Sequence, residues 1–232
     1  LLPIDSEHSA VFQAMQAGRP EEVRKIILTA SGGPFRNTPP EAMNQATIEQ
    51  ALAHPTWDMG PKITIDSATM MNKALEVIEA VWLFDMPAEK IEVLIHPESV
   101  IHSMVEFIDG SVMAQLGTPD MKVPIQYALT WPKRLPGIAE VLQLHQLGQL
   151  HFEPPDLDRF RALSLGFEVA KTSGSAPVVF NAANEAAVAA FLDGRIRFGQ
   201  IVDLIDACLQ AHTVQSHLTL EELLAVDAWA RE

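Results

Sequence analysis

The hydrophobic positions of this sequence change their pattern along the chain. Up to Phe84, short apolar runs alternate with helix-like stretches. Leu1-Leu2-Pro3-Ile4 reads as a strand-like run and leads into an amphipathic helix carrying Val11, Phe12 and Met15. Ile26-Ile27-Leu28 reads as a strand before Ser31-Gly32-Gly33-Pro34, and Lys62-Ile63-Thr64-Ile65 as another before a helix from about Ala68 to Phe84. Such alternation is an α/β signature. In the long helix Met71, Leu75, Ile78 and Trp82 recur at spacings of three and four, predicting a packed face. Asn72, Lys73, Glu76 and Glu79 share the other, polar side.

From Ile91 the pattern turns to β: Ile91 to Ile95, then Val100 to Ile108, then Asp109-Gly110 as a two-residue turn, then Ser111 to Leu116. Asp-Gly between such runs is a strong hairpin signal. The hairpin presents an extended apolar surface. Pro132, Pro136, Gly137, Gly148, Pro154 and Pro155 then interrupt the chain too often for a long element. Helical patterns follow: Asp158 to Lys171 stopping at Gly174, Ala182 to Leu192 stopping at Gly194, Phe198 to His212, and a last helix opened by Thr219 with Glu222 as a capping box. The expected fold class is α+β: an α/β domain over 1–130 with a β-sheet face, a linker over 131–157, and a small C-terminal helical bundle over 158–232.

The composition of the 232 residues is that of a folding, globular chain, with 48% hydrophobic and 20% charged residues. The formal charge of -14 argues against a broad nucleic-acid or anionic-membrane surface, so any bound anion must be held locally. Cys208 is the only cysteine, which excludes an internal disulfide and a cysteine-rich zinc site and suits a reducing, cytoplasmic compartment. No run approaches the ~18 apolar residues of a membrane span. The chain opens without an initiator methionine, and a segment upstream is expected.

Polar clusters before residue 131 could carry chemistry. In Asp5-Ser6-Glu7-His8 the carboxylates at i and i+2 can converge on a hard cation such as Mg²⁺ or Mn²⁺, or can cap the following helix. Ser31-Gly32-Gly33-Pro34 can cradle a phosphate with backbone N–H groups, or be an ordinary turn. Ser67 is expected at a helix start, with Lys73 as compensating charge; Asn72-Lys73 and Glu76 could equally be a solvated face with an ion pair. The loop His54-Pro55-Thr56-Trp57-Asp58-Met59-Gly60 can close over a substrate or anchor itself to the core. His96 and His102 read as structural histidines.

Together, Leu2-Pro3-Ile4-Asp5-Ser6-Glu7-His8, Ser31-Gly32-Gly33-Pro34-Phe35-Arg36, His54 to Gly60, Lys62 to Lys73, Ile95-His96-Pro97-Glu98-Ser99-Val100-Ile101-His102-Ser103-Met104-Val105 and Asn181-Ala182-Ala183-Asn184-Glu185 closely resemble the 1-deoxy-D-xylulose 5-phosphate reductoisomerase family. The resemblance covers nearly the whole chain. It implies an NADPH-dependent rearrangement and reduction of 1-deoxy-D-xylulose 5-phosphate to 2-C-methyl-D-erythritol 4-phosphate, in non-mevalonate isoprenoid synthesis, and a homodimer formed through the β-sheet. It implies Mg²⁺ or Mn²⁺ on Asp5, Glu7 and Glu76, and substrate phosphate on Ser31, Ser67, Asn72 and Lys73. Ser6 and His54 would contact the sugar-derived oxygens, Trp57 and Met59 would belong to a closing flap over the substrate, and Gly60 and Met121 would lie toward the nicotinamide. Glu7, His54, Lys73 and Glu76 are the residues expected to serve catalysis.

Two departures from the family pattern stand out. Ala30 occupies a position where glycine is expected, so its methyl would add strain if the backbone there needs positive φ or close approach. No G-x-G-x-x-G is present, and the chain is therefore expected to lack the domain through which the family binds NADPH, and to be inactive alone. The competing readings are a non-catalytic phosphate-binding or regulatory module on the same fold, and a metal-dependent sugar-phosphate isomerase or lyase that needs no nicotinamide.

Overall fold

The structure, a computed structural model, describes residues 1–232. In chain order its elements are α1 (Ser6–Met15), β1 (Val23–Ala30), α2 (Pro40–Asn44), α3 (Ile48–Leu52), α4 (Pro61–Thr69), α5 (Met71–Phe84), β2 (Ile91–Ile95), β3 (Ile101–Phe107), β4 (Val112–Leu116), α6 (Lys122–Thr130), α7 (Leu144–Leu147), α8 (Arg161–Thr172), α9 (Ala176–Leu192), α10 (Gln200–Ala211) and α11 (Leu220–Arg231). They form two compact units, one of residues 1–31 and 80–155, the other of 32–79 and 156–232. Compactness thus divides the chain differently from the linear scheme expected at 1–130, 131–157 and 158–232. Residues 32–79 pack with the late helices, and the proline-punctuated segment stays with the sheet.

The first unit is built on a four-stranded sheet in the order β2-β1-β3-β4. β1 runs parallel to β2, with Ile26 opposite Ile91 and Ala30 opposite Ile95, and antiparallel to β3, with Ile26 opposite Val105. Ile26, Ile27 and Leu28 are all buried because this strand is covered on both faces, which explains an apolar run without alternation. α1 packs on the sheet through Ala10 and Val11, both fully buried, and its Phe12 meets Trp131 edge-on at 5.0 Å. The β3–β4 connection is a three-residue loop rather than two: Phe107 N–H donates to Ser111 C=O at 2.9 Å around Ile108, Asp109 and Gly110. Gly110 takes the left-handed conformation (φ 86°) that closes such a loop.

His96 is a structural histidine, with 0% exposure. Its Nε2 accepts from the N–H groups of Val100 and Ile101 at 3.2 and 3.1 Å, and its Nδ1 lies 2.9 Å from His151 C=O. Glu98 gives it a carboxylate neighbour at 3.1 Å and also binds His151 at 2.5 Å. Burial pushes the Glu98 carboxyl up, but the hydrogen bonds from His151 outweigh this and hold it below the usual range. These contacts, with the bridge between Ile95 and Glu153, tie the end of the expected linker to the sheet.

The second unit is helical. Val179, Ala182, Val226 and Ala230 form a buried cluster joining α9 and α11, flanked by Cys208 and Leu209 from α10. The Thr219–Glu222 capping box is present, with Glu222 N–H on Thr219 Oγ1 at 3.3 Å and Thr219 N–H on Glu222 Oε2 at 2.7 Å. α8 crosses α5 where Gly166 lets the backbones approach: a Cβ there would lie 2.5 Å from Ala74 Cβ.

Several expectations need correcting. Leu1–Ile4 forms no strand; Leu2 and Ile4 are exposed and no neighbouring strand pairs with them. Lys62–Ile65 lies inside helix α4, because Gly60 caps and Pro61 opens it with the φ a first helical turn needs. The single helix expected from Ala68 is broken at Met70, which is left-handed (φ 62°) and ends α4 before α5 begins. On α5 Met71 and Ile78 are buried and Glu79 is exposed as expected, but Lys73 and Glu76 from the expected polar side are only 4% and 1% exposed, whereas Trp82 is 70% exposed. Ala30 adds no strain, for it ends β1 outside the positive-φ positions and its C=O accepts from His96 N–H at 2.7 Å. No helix is long and apolar enough to cross a membrane.

The α8–α5 contact is directly testable. Gly166→Val should lower stability by about 2–3 kcal/mol in urea unfolding through overpacking, and adding Ala74→Gly should return part of that loss.

Candidate active site

In the first unit the polar cluster sits where the chain enters α1. Asp5 occupies the N-cap position but its side chain makes no capping hydrogen bond, so the simple capping role does not describe it. Its carboxylate instead lies 3.8 Å from Nδ1 of the buried His8, and its oxygens come within 4.8 Å of those of Glu7. Ser6 donates to Glu7 at 2.5 Å. Carboxylates this close repel unless a cation or proton lies between them, and their hard oxygens suit Mg²⁺ or Mn²⁺. Ser31, half-buried, follows the end of β1, and Met121, 37% exposed, precedes α6.

The second unit gathers Ser67, Asn72, Lys73 and Glu76 around the α4–α5 joint. Ser67 is in the last turn of α4, not at a helix start as its sequence suggested. The helix N-terminus belongs to α5, whose first turn carries Asn72 and Lys73. Thr69 shapes the joint: its hydroxyl accepts from Met71 N–H at 3.3 Å and reaches the carbonyls of Ile65 and Asp66 at 3.1 and 3.2 Å. The first-turn N–H groups of α5 form the positive end of a helix dipole, a setting that favours an anion.

Glu76 lies one turn further along. Asn72 Nδ2 donates to its Oε1 at 2.6 Å and Lys73 Nζ to its Oε2 at 2.5 Å. An ionised carboxylate has about four acceptor positions, so both oxygens can take these bonds and still face a cation. Gly32 and Gly33 are left-handed (φ 85° and 66°), and a Cβ on Gly33 would stand 2.6 Å from Ser67 C=O. The Gly-Gly turn is therefore required sterically, and it leans on the end of α4.

The stretch from Ala53 to Gly60 is irregular, with Trp57 and Met59 half-buried and Gly60 exposed. His54 organises it: Nδ1 accepts from Thr56 and Trp57 N–H groups at 3.1 and 2.9 Å, which places the ring proton on Nε2. Burial pushes the His54 pKa down. Sequence reasoning gave Asp66 and Asn184 no role. Asp66 is 1% exposed, paired with Lys62 at 2.6 Å and with Asn184 Nδ2 at 3.0 Å, and burial raises its carboxyl against both. The signal that could have found the pair is Asn184 itself, a polar residue amid Ala182, Ala183 and Ala187.

Because His54 titrates below its ordinary value, its support of the loop is complete above the unfolded value of about 6.5 and is lost as pH falls through the lowered folded one. NMR titration should give a His54 midpoint below about 6.5; a midpoint above it would exclude the neutral-ring arrangement.

The family described as "DXP reductoisomerase C-terminal domain" matches residues 116–232, and the "1-deoxy-D-xylulose 5-phosphate reductoisomerase C-terminal domain" matches residues 1–84. A 1-deoxy-D-xylulose 5-phosphate reductoisomerase of Pelodictyon phaeoclathratiforme is 60% identical over 232 residues, covering 100% of this chain and 61% of that relative. One of Chlorobium chlorochromatii is 59% identical over the same span, again 61% of its length. Among solved structures, the Zymomonas mobilis reductoisomerase in complex with NADPH superposes with a TM-score of 0.92 at 52% identity, over 100% of this chain and 59% of that one. A reductoisomerase in complex with NADPH, fosmidomycin and magnesium gives 0.93 at 45% identity, over 99% and 61%. The chain thus spans about three-fifths of the length of the relatives it matches.

Proposed function

The chain belongs to the 1-deoxy-D-xylulose 5-phosphate reductoisomerase family, and on that premise we propose that it forms the metal- and substrate-binding part of an enzyme converting 1-deoxy-D-xylulose 5-phosphate to 2-C-methyl-D-erythritol 4-phosphate with NADPH. The observation that carries this reading is the buried Glu76 carboxylate with both oxygens held by the donors Asn72 and Lys73 at the head of α5. One hard ligand and two phosphate donors occupy a single turn.

In this reading Asp5, Glu7 and Glu76 hold Mg²⁺ or Mn²⁺. When bound, the cation polarises the substrate's carbonyl and neighbouring hydroxyl as a Lewis acid. With the cation then compensating Glu76, Asn72 and Lys73 can turn their donors to the substrate phosphate, joined by Ser67 and Ser31. Ser6 and His54 orient the sugar-derived oxygens; His54 does so as a neutral ring whose Nε2 carries the proton. Trp57 and Met59 close over the substrate and exclude water, which strengthens each electrostatic contact. Gly60 and Met121 face the nicotinamide of NADPH, held by a further domain. A single cysteine suits work in the cytoplasm.

The test joins this chain to the remainder of the Pelodictyon relative and follows NADPH oxidation with 1-deoxy-D-xylulose 5-phosphate and Mg²⁺. Turnover is expected from the joined protein, none from the chain alone, and a loss of about 100-fold or more with Glu76→Gln. A folded joined protein without turnover would overturn the enzymatic reading in favour of a phosphate-binding module.

We also infer a homodimer formed through the sheet. β4 pairs only with β3, so its outer edge is open, and Val112, Met113 and Leu116 are exposed along it beside Ile108 at 67%. An open apolar edge invites a second strand. Sedimentation should show a dimer, and Met113→Lys should weaken it at least tenfold.

A further inference from the structure

We propose that Asp66 and Asn184 are positioning residues that set the place of Ser67, and through the α4–α5 joint that of Asn72 and Lys73, for the phosphate of the substrate. The inference rests on the phosphate-binding reading above and assigns to it a buried support that touches no ligand.

The pair is hard to explain by stability alone. Asp66 is a nearly completely buried carboxylate with one partly exposed cationic partner, Lys62. Asn184 is 0% exposed, and while its Nδ2 donates to Asp66 Oδ1 at 3.0 Å, its own Oδ1 has no hydrogen-bond partner. Burying an amide oxygen without a partner costs more than one ordinary hydrogen bond returns, and an apolar side chain would pack on α9 without that loss. Asp66 fixes the amide's orientation, because only the NH₂ end can face a carboxylate.

What the pair does hold is α4 against α9, one residue before Ser67. The same turn supplies the carbonyl of Asp66 to the Thr69 hydroxyl, which in turn receives Met71 N–H and sets where α5 starts. Met70 adopts a left-handed conformation at this joint, and Gly33 comes so near Ser67 C=O that a Cβ there would not fit. A short, strained joint between two helices keeps its geometry only when neighbouring packing over-determines it. Asn184 and Asp66 are the polar part of that fixing, and rigid support of this kind sharpens a binding constellation.

The experiment measures inorganic phosphate binding to this chain from the NMR shifts of the Ser67 and Lys73 amides. Asn184→Ala and Asp66→Ala should each weaken binding about tenfold. Asp66→Asn, which keeps an acceptor for Asn184 Nδ2 without the charge, should restore affinity to within about twofold. Thr219→Ala removes the α11 cap and should lower stability while leaving phosphate affinity unchanged, so a general loss of stability is separated from misplacement. Lys73→Ala should abolish binding. If Lys73→Ala abolishes it while Asn184→Ala binds like the unmodified chain, or if Asp66→Asn fails to restore it, the positioning role is overturned. If the unmodified chain binds no phosphate, or Lys73→Ala binds equally well, the phosphate-binding reading fails and the positioning role falls with it.

Discussion

A carboxylate that is 1% exposed must be compensated on the spot, and at Glu76 the compensation comes from Asn72 and Lys73 on the preceding turn of its own helix. Removing either donor would leave a charge in a poorly solvated place, which is among the more expensive defects a fold can carry. Asn72 and Lys73 reach Glu76 through the i+4 and i+3 spacing of α5, which starts directly after α4 ends at Thr69 and Met70 takes a left-handed conformation. The Gly32-Gly33 turn can then approach Ser67 only because it lacks side chains.

The same economy appears in the other polar pairs. Asp66 with Lys62 and Asn184, and Glu98 with His96 and His151, are carboxylates whose partners come from elsewhere in the same compact unit. They serve different ends. Glu98 and His96 fasten the stretch near Phe152 to the end of β2, where the imidazole also stacks on the Phe152 ring at 4.8 Å. Asp66 lies beside residues assigned to phosphate, and its raised pKa records a burial that its partners offset incompletely. In a chain of net charge -14, carboxylates are plentiful; the informative ones are those the fold has taken out of water.

The sheet and the helical unit solve separate packing problems. In the first, the two internal strands β1 and β3 are the most deeply buried, and α1 supplies one layer with Ala10 and Val11. In the second, small residues on α9 let α10 and α11 close on it, and Gly166 lets α8 meet Ala74 on α5. Asp5 and Glu7 depend on how the chain enters α1; Glu76 depends on the α4–α5 joint.

The elements legible in the amino-acid sequence are those whose signals are local. The Thr219–Glu222 cap, the glycine stops after α8 and α9, and the β3–β4 hairpin were legible because each is decided by a few adjacent residues. The identity of the polar clusters was legible too, since a family's motifs are residue types in order. Tertiary structure decided what local rules leave open. Lys62–Ile65 has strand-forming side chains, yet Gly60-Pro61 and packing on α9 make it helix. α5 has two candidate faces, and only its folded surroundings make Lys73 and Glu76 buried while Trp82 is exposed. The Asp66–Asn184 bond joins residues 118 positions apart, and no spacing rule reaches that far. Propensity and periodicity act over a turn or two; burial is set by whatever the folded chain brings alongside.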